Sequence, residues 1–318
     1  MQATATDSKD IPKVPSAFFD HVQLTKPRIT LMVVITTAAG LLMAARVDPD
    51  FERRLAGSWF LLSLHIVAAL LGTAMLAAGA SALNMWSERS TDGLMKRTAQ
   101  RPLPAGRLLP DKALETGISF AAAGFAALFV GVNALTAMLG AVTLISYVWI
   151  YTPLKRRTPW NTHIGAIPGA LPILMGYTAW NGEFGPVAWA LFAFLLVWQL
   201  PHFFAIDWLY REDYANGGYR MVSGADPSGR RSAFETVLFT VLLVAISLSP
   251  PLLSVTTWGY PVVAGLLGLW FLLRSLQFAA KRTQSSARAT MLASVLYLPL
   301  VLGALVVDAL LFGSGWLF

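Results

Sequence analysis

The sequence predicts an all-α, polytopic membrane protein, built as a bundle of nine transmembrane helices. Of its 318 residues, 56% are hydrophobic and only 13% are charged, a balance outside the range of soluble domains. A hydrocarbon core of about 30 Å needs roughly 20 apolar residues per helix. Stretches of that kind recur along almost the whole chain after residue 28. Together these observations favour a membrane bundle over a soluble fold.

The nine predicted helices follow from these apolar stretches in chain order. They cover residues 29–46, 58–84, 113–132, 135–152, 162–180, 186–210, 233–253, 258–276 and 289–312. Some contain proline, which a membrane helix tolerates where neighbouring helices satisfy the freed backbone groups. We interpret Pro168, Pro172 and Pro201 as kinks that line a cavity. The plainer alternative is a kink with no further role.

The distribution of basic residues predicts the orientation. With nine helices, every Lys and Arg except Arg46, Arg53 and Arg54 falls on the side of the N-terminus. The positive-inside rule then places the N-terminus in the cytoplasm and the C-terminus on the other side. The polar first 27 residues have no apolar stretch typical of a cleavable signal peptide. We therefore predict a cytoplasmic tail over residues 1–27 and a single membrane domain over residues 28–318.

Charge and cysteine content exclude several functions. The net charge is +7, but the basic residues are scattered over predicted cytoplasmic loops, where topology and anionic lipid head groups account for them. Nucleic acid is therefore excluded as a partner. The chain has no cysteine, which excludes disulfides, thiolate metal sites and covalent c-type haem attachment.

A polar run, NMWSERSTDGLMKRTAQRPLPAG, begins at the end of the second predicted helix and covers residues 84–106. Asn84, Glu88 and Asp92 are spaced by four. On a continuing helix this spacing places all three side chains on one face over about 12 Å of rise. We call these three residues the oxygen ladder.

The oxygen ladder has two interpretations. The first is a solvated helix end in which Glu88 pairs with Arg89 or Lys96. The second is a divalent cation site, because carboxylates at a helix C-terminus face the negative end of the dipole and repel each other unless a cation offsets both effects. Mg²⁺ takes carboxylate and amide oxygens and commonly bridges to substrate phosphates. We favour the second, with phosphate oxygens meeting the basic residues that follow, Lys96, Arg97 and Arg101.

A second polar cluster, WQLPHFFAIDWLYREDYANGG, ends the sixth predicted helix at residues 198–218. Asp207, Tyr210 and Tyr214 share one helical face, and an ionisable group inside a membrane helix is a candidate functional residue. The alternatives are an ion pair between Asp207 and Arg211, and ordinary interfacial positions for the two tyrosines. Solvated loop charge is the alternative for two further carboxylates, Glu212 and Asp213.

A third stretch, YTPLKRRTPWNTHIGAIPGALP, joins the fourth and fifth predicted helices. It places three basic residues at a helix mouth, where topology alone also explains them: Lys155, Arg156 and Arg157. Asn161 and His163 then enter the fifth helix, where a buried polar group needs a partner. A lone histidine in a membrane helix, such as His163 or His202, is more often a hydrogen-bond partner of another helix than a metal ligand.

These motifs resemble the UbiA superfamily of intramembrane prenyltransferases, in the form of its haem branch. The likeness rests on the oxygen ladder with MKRTAQRPLPAG, on LTKPRIT at residues 24–30, on YTPLKRRTPWNT with GAIPGALP, and on LPHFFAIDWLYREDYANGG. It covers residues 20 to about 310. One departure concerns the second aspartate-rich motif of quinone-type members, because Tyr210 and Tyr214 stand at its two matching positions. The metal role of that motif is therefore not carried over to Asp207.

The resemblance implies a nine-helix bundle with a central cavity, and a reaction within it. A farnesyl group would pass from farnesyl diphosphate to a vinyl carbon of haem B, with addition of water, giving haem O and diphosphate. A quinone precursor as acceptor, or a small-molecule transporter without enzymatic activity, are the alternatives. The implied surroundings are the bacterial inner membrane, with the site facing the cytoplasm, and a pairing with haem A synthase or a terminal oxidase assembly factor stays open.

The resemblance also implies roles for individual residues. Mg²⁺ would bind the oxygen ladder. The diphosphate would meet Lys26, Arg28, Lys96, Arg97, Arg101, Lys155 and Arg211, and the farnesyl cation would face Tyr151, Tyr210 and Tyr214. His202 is the expected contact of haem, and basic loop residues are the alternative through the haem propionates. Further substrate-binding candidates in the matching stretches are Arg156, Asn161, Glu212 and Asp213.

Overall fold

A computed structural model describes residues 17–312, and the regular structure within this range is helical throughout. Residues 1–16, which form most of the predicted cytoplasmic tail, lie outside the described part. The helices are α1 (Ala17–Leu24), α2 (Pro27–Val47), α3 (Phe51–Ala56), α4 (Trp59–Asp92), α5 (Pro110–Gly131), α6 (Ala134–Ile145), α7 (Thr152–Leu154), α8 (Asn161–Asn181), α9 (Pro186–Leu209), α10 (Arg211–Asn216), α11 (Val222–Ala225), α12 (Arg230–Ser247), α13 (Tyr260–Lys281) and α14 (Gln284–Leu311). A π-helical turn, Ser146–Tyr151, joins α6 to α7.

A long helix stands at each of the nine predicted positions. In the described range, eight segments are long and apolar enough to cross a membrane: α2, α4, α5, the continuous segment from α6 to α7, α9, Arg230–Leu253, α13 and α14. The ninth helix, α8, has 21 residues but is not among those eight. An all-α membrane bundle is thus confirmed, whereas nine crossings and a cytoplasmic N-terminus stay predictions.

Helix α8 packs closely against its neighbours in the bundle core, which accounts for its many small and polar residues. A side-chain carbon at Gly176 would overlap the carbonyl oxygen of Thr37, and one at Gly40 would overlap that of Ile173. The backbones of α2 and α8 therefore touch, as small residues permit between membrane helices. Any larger residue at either glycine would push the two helices apart.

The three prolines singled out in the sequence are buried inside α8 and α9. None of them lines the large cavity described below, so the cavity role expected for Pro168, Pro172 and Pro201 is not met there. Near them, the Nε2 of Gln199 donates a hydrogen bond of 3.0 Å to the carbonyl oxygen of Ala166. A side chain of α9 thus supplies a hydrogen bond to a backbone carbonyl group of α8 inside the bundle.

Several connecting segments meet at one end of the bundle and form the surroundings of the site. Arg107, in the loop after α4, donates from Nε to Oδ1 of Asp20 in α1 over 3.0 Å. The backbone N–H of Arg220, after α10, donates to the carbonyl oxygen of Lys155 over 2.7 Å. The segments after α4, α7 and α9 are therefore fixed to one another or to α1.

Candidate active site at the end of helix α4

Helix α4 continues without a break to Asp92, eight residues beyond the predicted end of its apolar stretch at residue 84. This continuation keeps Asn84, Glu88 and Asp92 in helical register, so the oxygen ladder lies on one helix face. All three side chains are buried, and all three line one cavity of about 680 Å³. The spacing of four thus correctly predicted that the three residues share one face of α4, and this face lines the cavity.

Each carboxylate of the oxygen ladder has a basic partner from a different part of the chain. Lys155 Nζ lies 2.8 Å from Oε1 of Glu88, and Arg101 Nη1 lies 2.7 Å from Oδ2 of Asp92. The first interpretation of the ladder, a pair of Glu88 with Arg89 or Lys96, is wrong. Arg89 instead stacks its guanidinium 4.8 Å from the ring centroid of Trp86.

The amide of the ladder also meets a cation. Lys26 Nζ donates to Oδ1 of Asn84 over 2.9 Å, and Nδ2 of Asn84 donates to Oγ1 of Thr152 over 3.1 Å. Lys26 has a left-handed backbone, with φ of 46°, at the junction between α1 and α2. Burial, with a smaller effect of the nearby Arg101 guanidinium, lowers the pKa of Lys26 to about 7 against the opposing effect of the carboxylates.

One ladder oxygen has no partner. Oδ1 of Asp92 is buried and accepts no hydrogen bond from any residue in the described part of the chain. An unsatisfied carboxylate oxygen in a buried position is costly unless a further ligand reaches it. The donor set of two carboxylates and one amide suits a hard cation such as Mg²⁺. It holds only two acidic residues, and no group of three or more His, Cys, Asp or Glu able to bind a metal occurs between residues 17 and 312.

The cavity carries more positive than negative charge. Its two carboxylates, Glu88 and Asp92, face five basic side chains: Lys26, Arg28, Arg97, Arg101 and Lys155. Burial on its own would lower the pKa of Lys155, but the carboxylate of Glu88 and the nearby tyrosine oxygens together outweigh it and hold that pKa well above the usual range. The cavity is therefore suited to an anionic ligand.

Tyrosines form much of the remaining polar wall. Tyr147, Tyr151, Tyr214 and Tyr219 line the cavity, and Lys155 Nζ lies 4.7 Å from the ring centroid of Tyr151. Sequence reasoning selected Tyr151 and Tyr214 but missed Tyr147 and Tyr219. Tyr147 carried a usable signal, since it lies one helical turn before Tyr151. Tyr219 follows the glycine pair that ends the second cluster, and its position depends on long-range packing.

The structure brings ten of the predicted residues to the cavity. They are Lys26, Arg28, Asn84, Glu88, Asp92, Arg97, Arg101, Tyr151, Lys155 and Tyr214. Tyr210 does not line the cavity but contacts a residue that does, because the guanidinium of Arg97 lies 5.2 Å from the ring centroid of Tyr210. Asp213 holds the chain around the site, because its carboxylate accepts the backbone N–H groups of Lys96 and Arg97, both over 3.2 Å.

The other predicted residues do not line the cavity. His202 in α9 shares a hydrogen bond of 2.7 Å with Oγ of Ser294 in α14 and stacks on Trp198. Asn161 donates to the carbonyl oxygens of Thr158 and Arg220. The remaining members of this group are Lys96, Arg156, Arg211 and Glu212.

Asp207 has a different partner from the one expected in its alternative role. It forms no ion pair with Arg211, whose guanidinium instead stacks 4.8 Å from the ring centroid of Trp208. Asp207 is fully buried, and its carboxylate accepts hydrogen bonds from the backbone N–H and the hydroxyl of Ser223, over 2.9 Å and 2.5 Å. The ion pair proposed as its alternative role is therefore wrong.

An all-helical membrane bundle with a buried, cation-rich cavity at one end is the architecture of an intramembrane prenyltransferase. The chain belongs to the UbiA prenyltransferase family, whose model matches residues 33–312. This assignment confirms the family resemblance drawn from the sequence motifs.

Relatives are similar over nearly the whole chain. The protoheme IX farnesyltransferase of Solibacter usitatus is 44% identical over 289 residues, covering 91% of this chain and 98% of that protein. The protoheme IX farnesyltransferase of Salinibacter ruber is 42% identical over 290 residues, again covering 91% and 98%.

Solved structures share the fold at much lower identity. Digeranylgeranylglyceryl phosphate synthase superposes with a TM-score of 0.74 at 16% identity, covering 92% of this chain and 98% of that one. A UbiA homolog from Archaeoglobus fulgidus bound to DMAPP and Mg²⁺ gives a TM-score of 0.61 at 15% identity, covering 90% and 99%. At these identities the likeness concerns the fold.

Proposed function

We propose that this membrane protein transfers a farnesyl group from farnesyl diphosphate to a vinyl carbon of haem B. Addition of water completes the new side chain, and the products are haem O and diphosphate. The similarity to relatives named protoheme IX farnesyltransferase supports this choice of donor and acceptor. The observation that carries the proposal is the buried oxygen ladder facing surplus basic side chains in one cavity.

The oxygen ladder would hold the metal. Asn84, Glu88 and Asp92 offer a hard-oxygen set on one helix face, and the unpartnered Oδ1 of Asp92 is the atom with free capacity for a ligand. Bound Mg²⁺ would supply charge stabilisation for the diphosphate leaving group. The Mg²⁺ in the Archaeoglobus fulgidus homolog supports this choice of ion.

The basic side chains would take the rest of the diphosphate charge. Lys155 and Arg101 pair with the ladder carboxylates, and Arg97 lies in the same cavity, so all three stand beside the proposed leaving group. Cleavage of the allylic carbon–oxygen bond moves negative charge onto diphosphate. Cations that are already in place around the leaving group stabilise that charge with little reorganisation. Lys26 and Arg28 line the rim of the same cavity.

The tyrosine faces would shelter the farnesyl cation. Tyr147, Tyr151, Tyr214 and Tyr219 line the cavity within reach of its basic residues. Each aromatic face contributes about 0.5 to 2 kcal/mol of cation–π attraction, depending on how far the cation is desolvated. Tyr214 replaces a carboxylate of quinone-type members, and this favours an aromatic wall over a second metal site.

The proposed setting is the inner membrane, with the site facing the cytoplasm. The bias of Lys and Arg toward the loops at the site's end supports this orientation. The bilayer would deliver both hydrophobic substrates, and residues 28–318 would act as one domain. We further propose that the product passes to haem A synthase or to a terminal oxidase assembly factor.

An assay with a choice of acceptors tests the proposal. The purified protein is incubated with farnesyl diphosphate, Mg²⁺ and either haem B or 4-hydroxybenzoate, and the products are identified by mass. We expect a haem product that has gained one farnesyl group and one water, and no prenylated benzoate. Prenylation of 4-hydroxybenzoate alone would replace the haem acceptor with a quinone precursor. Absence of both products would overturn the enzymatic proposal.

A further inference from the structure

A short segment after α10, residues 218–223, is tied to the rest of the protein along its length, and we call it the strap. It begins at Gly218, whose φ of +70° is a conformation that favours glycine. The backbone N–H of Tyr219 donates to Tyr214, and Asn161 Nδ2 donates to the carbonyl oxygen of Arg220 over 2.9 Å. The strap therefore has one fixed course past the cavity.

Asp207 holds the far end of the strap. Its two carboxylate oxygens accept the hydroxyl and the backbone N–H of Ser223, at the start of α11. Asp207 is fully buried and forms no ion pair in the described part of the chain. A buried carboxylate without a cation is costly unless hydrogen bonds satisfy it, so an apolar residue would serve packing of α9 better. An aspartate at position 207 is therefore explained by the hydrogen bonds that it makes to Ser223.

The strap carries Tyr219 into the cavity. The hydroxyl of Tyr219 lies 3.2 Å from Oγ1 of Thr91, and Tyr219 lines the same cavity as Glu88. Thr91 already donates its own hydroxyl proton to the carbonyl oxygen of Glu88 over 2.9 Å. Tyr219 therefore donates its single hydroxyl proton to Oγ1 of Thr91, and its ring centroid lies 5.8 Å from Nζ of Lys155, the cation that pairs with Glu88.

We propose that Asp207 is a positioning residue which, through Ser223 and the strap, sets Tyr219 against Thr91 and against the Lys155–Glu88 pair of the oxygen ladder. This inference rests on the proposed function, since it assigns Glu88 to the binding of metal and diphosphate. Asp207 touches no substrate and acts through the strap alone. Its effect should therefore appear in metal–diphosphate binding and leave haem binding unchanged.

A double-mutant cycle between Asp207→Asn and Tyr219→Phe tests the proposal. The full-length protein is purified, and Mn²⁺ binding in the presence of diphosphate is measured by electron paramagnetic resonance, alongside KM for farnesyl diphosphate and for haem B. Each single variant should weaken Mn²⁺ binding and raise KM for farnesyl diphosphate about tenfold, the effect of one buried hydrogen bond. KM for haem B should stay within about twofold of the parent value.

The double variant separates positioning from independent effects. If Asp207 acts through Tyr219, the double variant also loses about tenfold, whereas independent contributions would multiply to about 100-fold and overturn the proposal. Ser223→Ala should behave like Asp207→Asn. Ser275→Ala removes another buried serine hydroxyl, one that bonds Thr240 away from the cavity, and should leave Mn²⁺ binding at the parent level.

The binding readout also separates this inference from the proposed function. A parent protein that makes no farnesylated haem would refute the proposed reaction. Mn²⁺ and diphosphate binding would still be measurable in that case. Equal Mn²⁺ affinity in the parent and in Asp207→Asn would then overturn the positioning role on its own.

Discussion

Lys155 Nζ and Glu88 Oε1 form a 2.8 Å ion pair between side chains that are both largely buried and 67 positions apart in sequence. The pair joins the end of α4 to the segment before α8 at the centre of the proposed site. Because both partners are removed from water, neither is expendable alone: loss of one leaves the other as an uncompensated buried charge.

Replacement of Lys155 tests this coupling. Lys155→Met should abolish prenyl transfer and lower the free energy of unfolding by about 3 kcal/mol, because Glu88 is left buried without its cation. The double variant Lys155→Met with Glu88→Gln should recover most of the thermal stability, since both charges are gone, and stay inactive. Thermal melting and product analysis measure the two effects. A double variant no more stable than Lys155→Met would contradict the coupling.

Lys26 predicts a pH dependence of stability in the metal-free protein. Burial holds its folded-state pKa at about 7, well below the usual lysine value of 10.5. Between these values the unfolded chain binds more protons, so the Lys26 contribution makes stability rise as pH increases from about 7 toward 10. Melting curves with a chelator at several pH values, for the parent and for Lys26→Met, measure this slope. The variant should have the smaller slope, and equal slopes would contradict the depressed pKa.

Two arginines near the end of α4, Arg97 and Arg89, provide a test variant and its control. Both side chains are exposed, but Arg97 lines the cavity, whereas Arg89 lies outside it and stacks on Trp86. Arg97→Met should raise KM for farnesyl diphosphate about tenfold through loss of one charge-assisted contact. Arg89→Met should leave KM within about twofold. Steady-state kinetics with both variants decide the assignment, and similar effects at the two positions would refute it.

The sequence analysis predicted a haem contact for His202, whereas the structure shows contacts with other side chains of the bundle. Its hydrogen bond to Ser294 and its stacking on Trp198 indicate a helix-to-helix contact. His202→Ala should lower the melting temperature while KM for haem B stays within about twofold. Haem titration and thermal melting measure both. A tenfold rise in KM for haem at unchanged stability would restore the predicted haem contact.

Local patterns in the sequence predicted most of the fold and the centre of the site. Apolar length identifies a helix at each expected position, and the spacing of Asn84, Glu88 and Asp92 predicts their shared face because α4 is regular up to Asp92. The same local logic misleads for Glu88, whose partner is Lys155 rather than the nearby Arg89 or Lys96.

Long-range packing decides the parts that local patterns leave open. Asp207 has a basic residue four positions away, yet it binds Ser223, sixteen positions away. Tyr219 enters the cavity because the strap is fixed by residues of four other segments, namely Lys155, Asn161, Asp207 and Tyr214. No periodicity in the sequence encodes either contact. Helix α8 is less apolar than the eight membrane-crossing candidates because most of its residues are buried against other helices.

The most direct test measures haem products in cells. The parent chain, Asp92→Asn and the exposed control Asp111→Asn are expressed at matched levels in a host that makes haem B and farnesyl diphosphate but no haem O, and extracted haems are analysed by mass. The parent and Asp111→Asn should both produce haem carrying one farnesyl group and one added water. Asp92→Asn should produce at least about 100-fold less, since it weakens the stabilisation of the leaving group. Haem O at the parental rate from Asp92→Asn, or none from the parent, would contradict the account.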